Sequence, residues 1–175
     1  MPAQLSPAEV HRRLSGGEAA DLIDVRTPAE FAGQHAVGAK LVPLDRFDPA
    51  AFLRARTAGK PLFILCQGGK RAAMAAEKLE AAGCTDAIVV EGGTNAWAAA
   101  GLPCESRGRE VIPLERQVRI AAGALVLTGV LLARFVDPLF IWLSAFIGCG
   151  LIFSGITDKC PMGMLIAKMP WNQTK

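Results

Sequence analysis

Residues 138–156 are 19 consecutive amino acids without a charged side chain, and residues 120–133 are 14 more. As a helix the longer run spans ~28 Å, close to the ~30 Å hydrocarbon core of a bilayer. The shorter run needs its flanks. Arg119 and Arg134 stand at its two ends, where long stems can reach an interface. Only Arg134-Phe135-Val136-Asp137 joins the runs, so residues 118–157 are expected to form an antiparallel helical hairpin. A soluble domain of ~100 residues could not bury two such helices, which assigns them to a lipid bilayer. Arg107, Arg109, Arg116 and Arg119 precede the hairpin, Lys159, Lys168 and Lys175 follow it, and the turn holds only Arg134. This bias places both ends in the cytoplasm. Small residues recur four apart at Ser144 and Gly148, Gly150 and Ser154, Ala124 and Thr128, and Gly129 and Ala133. That spacing lets helices approach closely, within the hairpin or in a homodimer.

The first part of the chain reads differently. Charge is balanced over residues 1–116, and the net +3 belongs to the remainder. No basic block with interleaved aromatics occurs, which argues against nucleic acid as a partner. Ser6-Pro7-Ala8-Glu9 and Thr27-Pro28-Ala29-Glu30 are helix-start signatures. Strands are expected at residues 22–25, 41–42, 62–65 and 87–90. Helices are expected at 7–14, 28–31, 49–55, 71–82 and 94–100. This alternation predicts an α/β domain with a mainly parallel sheet over residues 1–104, then a charged linker over 105–117. Ligands of such sheets bind beyond the carboxyl ends of strands.

Cys66 lies at such an end, in the run Cys66-Gln67-Gly68-Gly69-Lys70-Arg71 before an alanine-rich helix. Backbone N–H groups of a glycine-rich turn and the positive end of a helix can surround the sulfur, and two cations stand beside it. That setting favours a nucleophilic thiolate. The plainer alternative is a small buried cysteine beside an ordinary turn. The five cysteines are scattered with no CxxC pair, which argues against a zinc site or a disulfide framework. With no signal peptide visible, the first domain is expected in a reducing cytoplasm. Asp24 is expected to pair with Arg26 or Arg71, His35 to be structural and Trp97 to pack the last helix on the sheet. Cys84 and Cys149 are expected as packing residues, and Cys104 as exposed and incidental.

Three segments carry a family resemblance. They are Leu22-Ile23-Asp24-Val25-Arg26 with Glu30-Phe31 and His35 to Ala39, the Cys66 to Arg71 loop, and Glu91-Gly92-Gly93 with Trp97, Gly101, Leu102 and Pro103. Residues 5–104 resemble a single-domain rhodanese. Gln34 replaces a usual glycine, and Ala36-Val37 a common Ile-Pro. The tail from Asp158 to Asn172 is similar to that of bacterial inner-membrane rhodaneses with a two-helix domain, so the likeness covers nearly the whole chain. The resemblance implies a thiosulfate sulfurtransferase that carries sulfur as a Cys66 persulfide. Its donor would be a small sulfur compound such as thiosulfate, its acceptor a thiol or cyanide, and it would need no metal or organic cofactor. The six-residue loop matches sulfurtransferases, whereas phosphate- and arsenate-using relatives have one residue more. Backbone N–H groups of Gln67, Gly68, Gly69, Lys70, Arg71 and Ala72 would stabilise the persulfide anion. Lys70 would bind the donor and Arg71 would fix the loop, or the two roles exchange. Cys160, where the second helix leaves the bilayer, could relay sulfur. Met164, Leu165 and Trp171 suit an amphipathic segment lying on the cytoplasmic interface, which makes 158–175 an interfacial tail. The alternatives to an enzyme are a thiol-based redox or sulfur sensor and a persulfide carrier for a membrane partner.

Overall fold

The computed structural model describes residues 2–57, 59–106, 112–157 and 160–173. Arg107, Arg109, Lys159 and Lys175, used above for orientation, and the middle of the expected linker lie outside them. The chain divides at Ile112 into two compact units. The first begins with β1 (Ala3–Leu5) and α1 (Pro7–Ser15), whose Glu9 N–H donates to the Ser6 hydroxyl at 3.3 Å. β2 (Asp21–Asp24) leads to α2 (Pro28–Gly33), which opens with a reciprocal Thr27–Glu30 capping box. Then come β3 (His35–Ala36), β4 (Lys40–Leu41), α3 (Pro49–Ala55), β5 (Leu62–Leu65) and α4 (Lys70–Ala81). β6 (Ala87–Val90), α5 (Gly93–Ala99) and β7 (Cys104–Glu105) complete the unit.

Five strands form one parallel sheet in the order β1-β6-β5-β2-β4. Central β5 is buried along its whole length, and its alternate residues serve opposite faces. Leu62 and Ile64 join Ile23, Ala75, Ala76 and Leu79 on the α4 side. Phe63 and Leu65 join Val10, Leu22 and Trp97 on the other. Asp24 pairs with Leu65 in register, so the carboxyl ends of β2 and β5 lie side by side, and Cys66 starts where both strands stop.

Three features depart from expectation. β1 adds an edge strand by pairing Leu5 with Val90; three residues are too few to show a period. β7 pairs antiparallel with β3, Cys104 opposite Ala36. Cys104 is therefore half-buried against the Val10–Trp97 cluster, not exposed. Cys84 is buried as expected, yet its thiol donates to Asp86 Oδ1 at 2.9 Å beside Arg56. Burial and that hydrogen bond raise its pKa, which keeps it a thiol.

The second unit holds α6 (Leu114–Phe135), a 3-10 turn at Pro138–Phe140, α7 (Ile141–Thr157), α8 (Pro161–Ala167) and α9 (Pro170–Gln173). α6 begins at Leu114, four residues before the expected hairpin start, so the end of the expected linker is helical. Its 22 residues and the 20 of Pro138–Thr157 are each long and apolar enough to span a bilayer. Asp137 caps the turn by accepting the Leu139 N–H at 2.8 Å. Gly129 is where the helices meet. A Cβ there would overlap Ser144 Oγ and lie 3.0 Å from the Ser144 nitrogen. The Ser144 hydroxyl donates across to the Val126 carbonyl at 2.9 Å. Leu127, Phe146, Ile152 and Ile156 face outward. Cys149 is exposed on α7 instead of packed, because the α6 contact falls on the Ser144 side.

Gly129→Leu should lower the thermal stability of this hairpin by about 1–3 kcal/mol, read as loss of helical circular dichroism on heating in detergent. Gly148→Leu, which meets open space, should leave it unchanged. Identical melting of the two variants would contradict this packing.

Candidate active site

Cys66 is 1% exposed. Its Sγ accepts the Gly69 N–H at 3.0 Å. Gly69 is the residue before the first turn of α4 and has no side chain to cap it, so the sulfur meets the N–H of the N-cap residue itself. Gly69 has φ +100°, a conformation that favours glycine. Gly68 is exposed, with open space where a side chain would project.

The start of α5 fixes the other side of the loop. The Cys66 carbonyl accepts the Thr94 N–H at 2.7 Å and the Thr94 hydroxyl at 3.1 Å. The Gln67 carbonyl accepts the Asn95 N–H at 3.1 Å. A peptide unit is planar and trans, so drawing these two carbonyls toward α5 turns the Gln67 and Gly68 N–H groups away from it. The approach requires Gly93. At φ +58°, a Cβ there would overlap the Cys66 carbonyl oxygen and lie 2.8 Å from the Gln67 carbonyl carbon. Thr94 is buried, which holds its hydroxyl in place.

Two buried ion pairs brace the strand ends. Arg26 donates to Asp24 at 2.7 Å and to the Gln34 carbonyl at 2.6 Å. Arg71, on the first turn of α4, meets Glu30 in a two-pronged contact with both distances 2.9 Å. Glu30 also accepts the Thr27 N–H at 3.0 Å and the Thr27 hydroxyl at 2.9 Å. Burial pushes the Glu30 carboxyl up, but Arg71 and Thr27 outweigh it and hold the pKa at about 2, below the usual 4.5. Burial works against the Arg71 cation, and Glu30, with help from Cys66 and Asp24, raises its pKa. Arg71 therefore points inward as a fixed cation and ties α4 to α2.

Lys70 is exposed on the outer side of the same turn, and Ala72 is fully buried. Gln67 is half-buried, and its Oε1 has no hydrogen-bond partner. His35 stacks on Phe31 with ring centroids 3.7 Å apart, and its Nδ1 lies 2.7 Å from the Phe31 carbonyl. Trp97 is buried and donates to the Pro103 carbonyl at 3.1 Å. Cys160 lies in the second unit and caps α8, its Sγ accepting the Gly163 N–H at 3.3 Å. Sequence reasoning passed over Glu30, Gly93 and Thr94 as site residues. The Thr27–Glu30 capping box placed Glu30 at the start of α2, but nothing in the sequence showed that Arg71, 41 residues later, would reach it.

This geometry, a cysteine in a tight glycine loop at the carboxyl edge of a parallel sheet, coincides with a family match. The chain belongs to the family of the rhodanese-like domain over residues 6–100, and it continues as an "Inner membrane protein YgaP-like, transmembrane domain" over residues 111–175. It is 43% identical over 164 residues to the uncharacterized protein slr1261 of Synechocystis sp., covering 94% of this chain and 90% of that one. The thiosulfate sulfurtransferase GlpE of Pseudomonas putida is 33% identical over 93 residues, covering 53% of this chain and 83% of GlpE. The rhodanese-like domain of the Anabaena sp Alr3790 protein superposes with a TM-score of 0.55 at 24% identity, over 64% of this chain and 86% of that one.

Glu30 is held below its unfolded pKa, so the pair's contribution is fully present above about pH 4.5 and is lost as pH falls toward about 2. Glu30→Gln should destabilise the chain by about 3 kcal/mol at neutral pH, because it strands a buried guanidinium. The gap to wild type should close on acidification through that window. Urea unfolding in detergent at neutral and acidic pH measures both. A variant as stable as wild type at neutral pH would contradict the pairing's role.

Proposed function

We propose that this protein is a membrane-anchored sulfurtransferase that moves sulfane sulfur from a thiosulfate-like donor to a thiol or cyanide through a persulfide on Cys66. The observation that carries this is the Gly69 N–H at 3.0 Å from Sγ, in a loop whose two preceding carbonyls are drawn away by α5. A sulfur anion in such a loop faces donors on a rigid frame, which stabilise charge without reorganising at the moment of reaction.

In the first half-reaction the Cys66 thiolate attacks the outer sulfur of thiosulfate. A new S–S bond forms, the old one breaks, and sulfite leaves with the bonding pair. Cys66 is then a persulfide anion, and the total charge is unchanged. In the second, an acceptor thiolate or cyanide attacks the outer sulfur and releases Cys66 as thiolate. The exposed rim at Gly68 is the approach, Lys70 attracts the dianionic donor, and Arg71 holds the loop through Glu30. The hairpin anchors the domain in the inner membrane, with both chain ends cytoplasmic in the orientation of the Lys/Arg bias. The small-residue spacing of the helices suits a homodimer. Cys160 serves, in this reading, as a second thiol on the sulfur route. The GlpE relative, a thiosulfate sulfurtransferase by name, supports the donor class.

Intact mass and sulfite release after mixing the detergent-solubilised protein with thiosulfate test this. Wild type should gain one sulfur atom and release sulfite, and Cys66→Ala should do neither. Loading of Cys66→Ala would move the active thiol elsewhere. No loading of wild type would favour a sensor over an enzyme. Residues 1–111, which keep β7 whole, should be soluble alone and should load as the full chain does; an inert fragment would contradict an independent catalytic domain.

A further inference from the structure

The C-terminal segment grips α6 at two neighbouring positions. At Gly163 of α8, a Cβ would lie 3.7 Å from the Val118 side chain. From α9, Asn172 meets Gln117 in a reciprocal amide pair. Gln117 Nε2 donates to Asn172 Oδ1 at 2.9 Å, and Asn172 Nδ2 donates to Gln117 Oε1 at 2.9 Å. Both amides then use their other hydrogen: Gln117 on the Ile112 carbonyl at 2.8 Å, Asn172 on the Ile166 carbonyl at 2.9 Å. The Trp171 indole N–H joins at 3.0 Å from Gln117 Oε1. Asn172 is fully buried. A buried amide with every group satisfied is specific to one geometry, since breaking any member strands the others.

The level of this contact is informative. Gln117 and Val118 are successive residues, about 1.5 Å apart along the helix axis. Ile120, where the uncharged run of α6 begins, is only about 3 Å further on. Both ends of the tail are therefore held at one height, at the threshold of the apolar span. Arg116 and Arg119 are exposed on α6 at the same height, and exposed Lys168 links the two tail helices. One side of the tail packs inward through Gly163, Ala167 and Asn172. The other presents Met164, Leu165 and Trp171, each more than half exposed. The Trp171 N–H is already bonded to Gln117, so its ring can enter an apolar boundary without stranding a donor.

We propose that α8 and α9 form an in-plane anchor whose partner is the headgroup–acyl boundary of the bilayer, and that Gln117 is the clamp that sets its depth. The assignment of lipid as the partner rests on the bilayer placement of α6 and α7. The exposed apolar side is continuous with the start of that span, and cations flank it as they do in interfacial helices.

Depth-dependent fluorescence quenching tests this with the full chain in phosphatidylcholine vesicles brominated near the headgroup or near the chain end. The difference between wild type and Trp171→Phe isolates Trp171, and the same difference for Trp142→Phe isolates Trp142 of α7. Trp171 should be quenched about twofold more by shallow than by deep bromine, the signature of an interfacial ring. Gln117→Leu and Asn172→Ala should each weaken that quenching and shift Trp171 emission to the red, with Trp142 quenching unchanged. Trp171 quenched by neither lipid while Trp142 is quenched would overturn the anchor. Trp171 quenched mainly by deep bromine would also overturn it. Unaltered Trp171 quenching in both clamp variants would overturn the role of Gln117. If Trp142 were also unquenched, the spanning assignment itself would fall, and the anchor with it.

Discussion

The Cys66 loop owes its shape to a contact with no side chain on one side of it. The backbone of Gly92-Gly93 brings the first turn of α5 against the loop, and Thr94 and Asn95 take the Cys66 and Gln67 carbonyls. A methyl group at Gly93 would overlap the Cys66 carbonyl oxygen. Everything that makes the thiol special follows from this. With these carbonyls held at the rear, the Gln67 and Gly68 N–H groups turn away from α5, and the Gly69 N–H donates to the Cys66 sulfur. The parallel strand order β6-β5-β2 places α5, the loop and Asp24 along one edge of the sheet, where the contact can form.

The two cations of the loop have separate surroundings. Arg71 is committed to Glu30, a carboxylate that is itself committed to Thr27 and to the start of α2. Removing either partner leaves a buried charge alone, so the pair holds position more than it adds stability. Lys70, the preceding residue of the same turn, is exposed. One residue of helical rotation separates a structural cation from a solvent-facing one. Sequence alone could not tell these roles apart, because both residues are basic and adjacent, and the partner that distinguishes them comes from another helix.

Much of the rest was legible for local reasons. Ser6 and Thr27 each cap a helix that begins where its signature predicts, because a cap depends on only a few neighbouring residues. The β5 run and the uncharged runs of α6 and α7 were legible because burial on both faces of a strand, or an apolar stretch long enough to span a bilayer, leaves a continuous apolar signal. The features that stayed hidden are long-range. β1 and β7 are two or three residues each and exist only through pairing with Val90 and Ala36. Cys104 turns inward because β7 pairs with β3, and Cys84 enters a polar cluster because Arg56 and Asp86 converge on it. Gly93 read as a turn residue, and only the fold shows that it is a point of contact.

Gly93→Ala is the most direct test of the account, since it leaves every chemical group of the loop in place. The measurement is the single-turnover rate of sulfur uptake from thiosulfate, with thermal unfolding followed on the same samples. If α5 holds the loop in its anion-binding shape, the variant should stay folded and load sulfur about 100-fold more slowly or worse, as loss of a preorganised donor costs elsewhere. A folded Gly93→Ala protein that loads at the wild-type rate would contradict it.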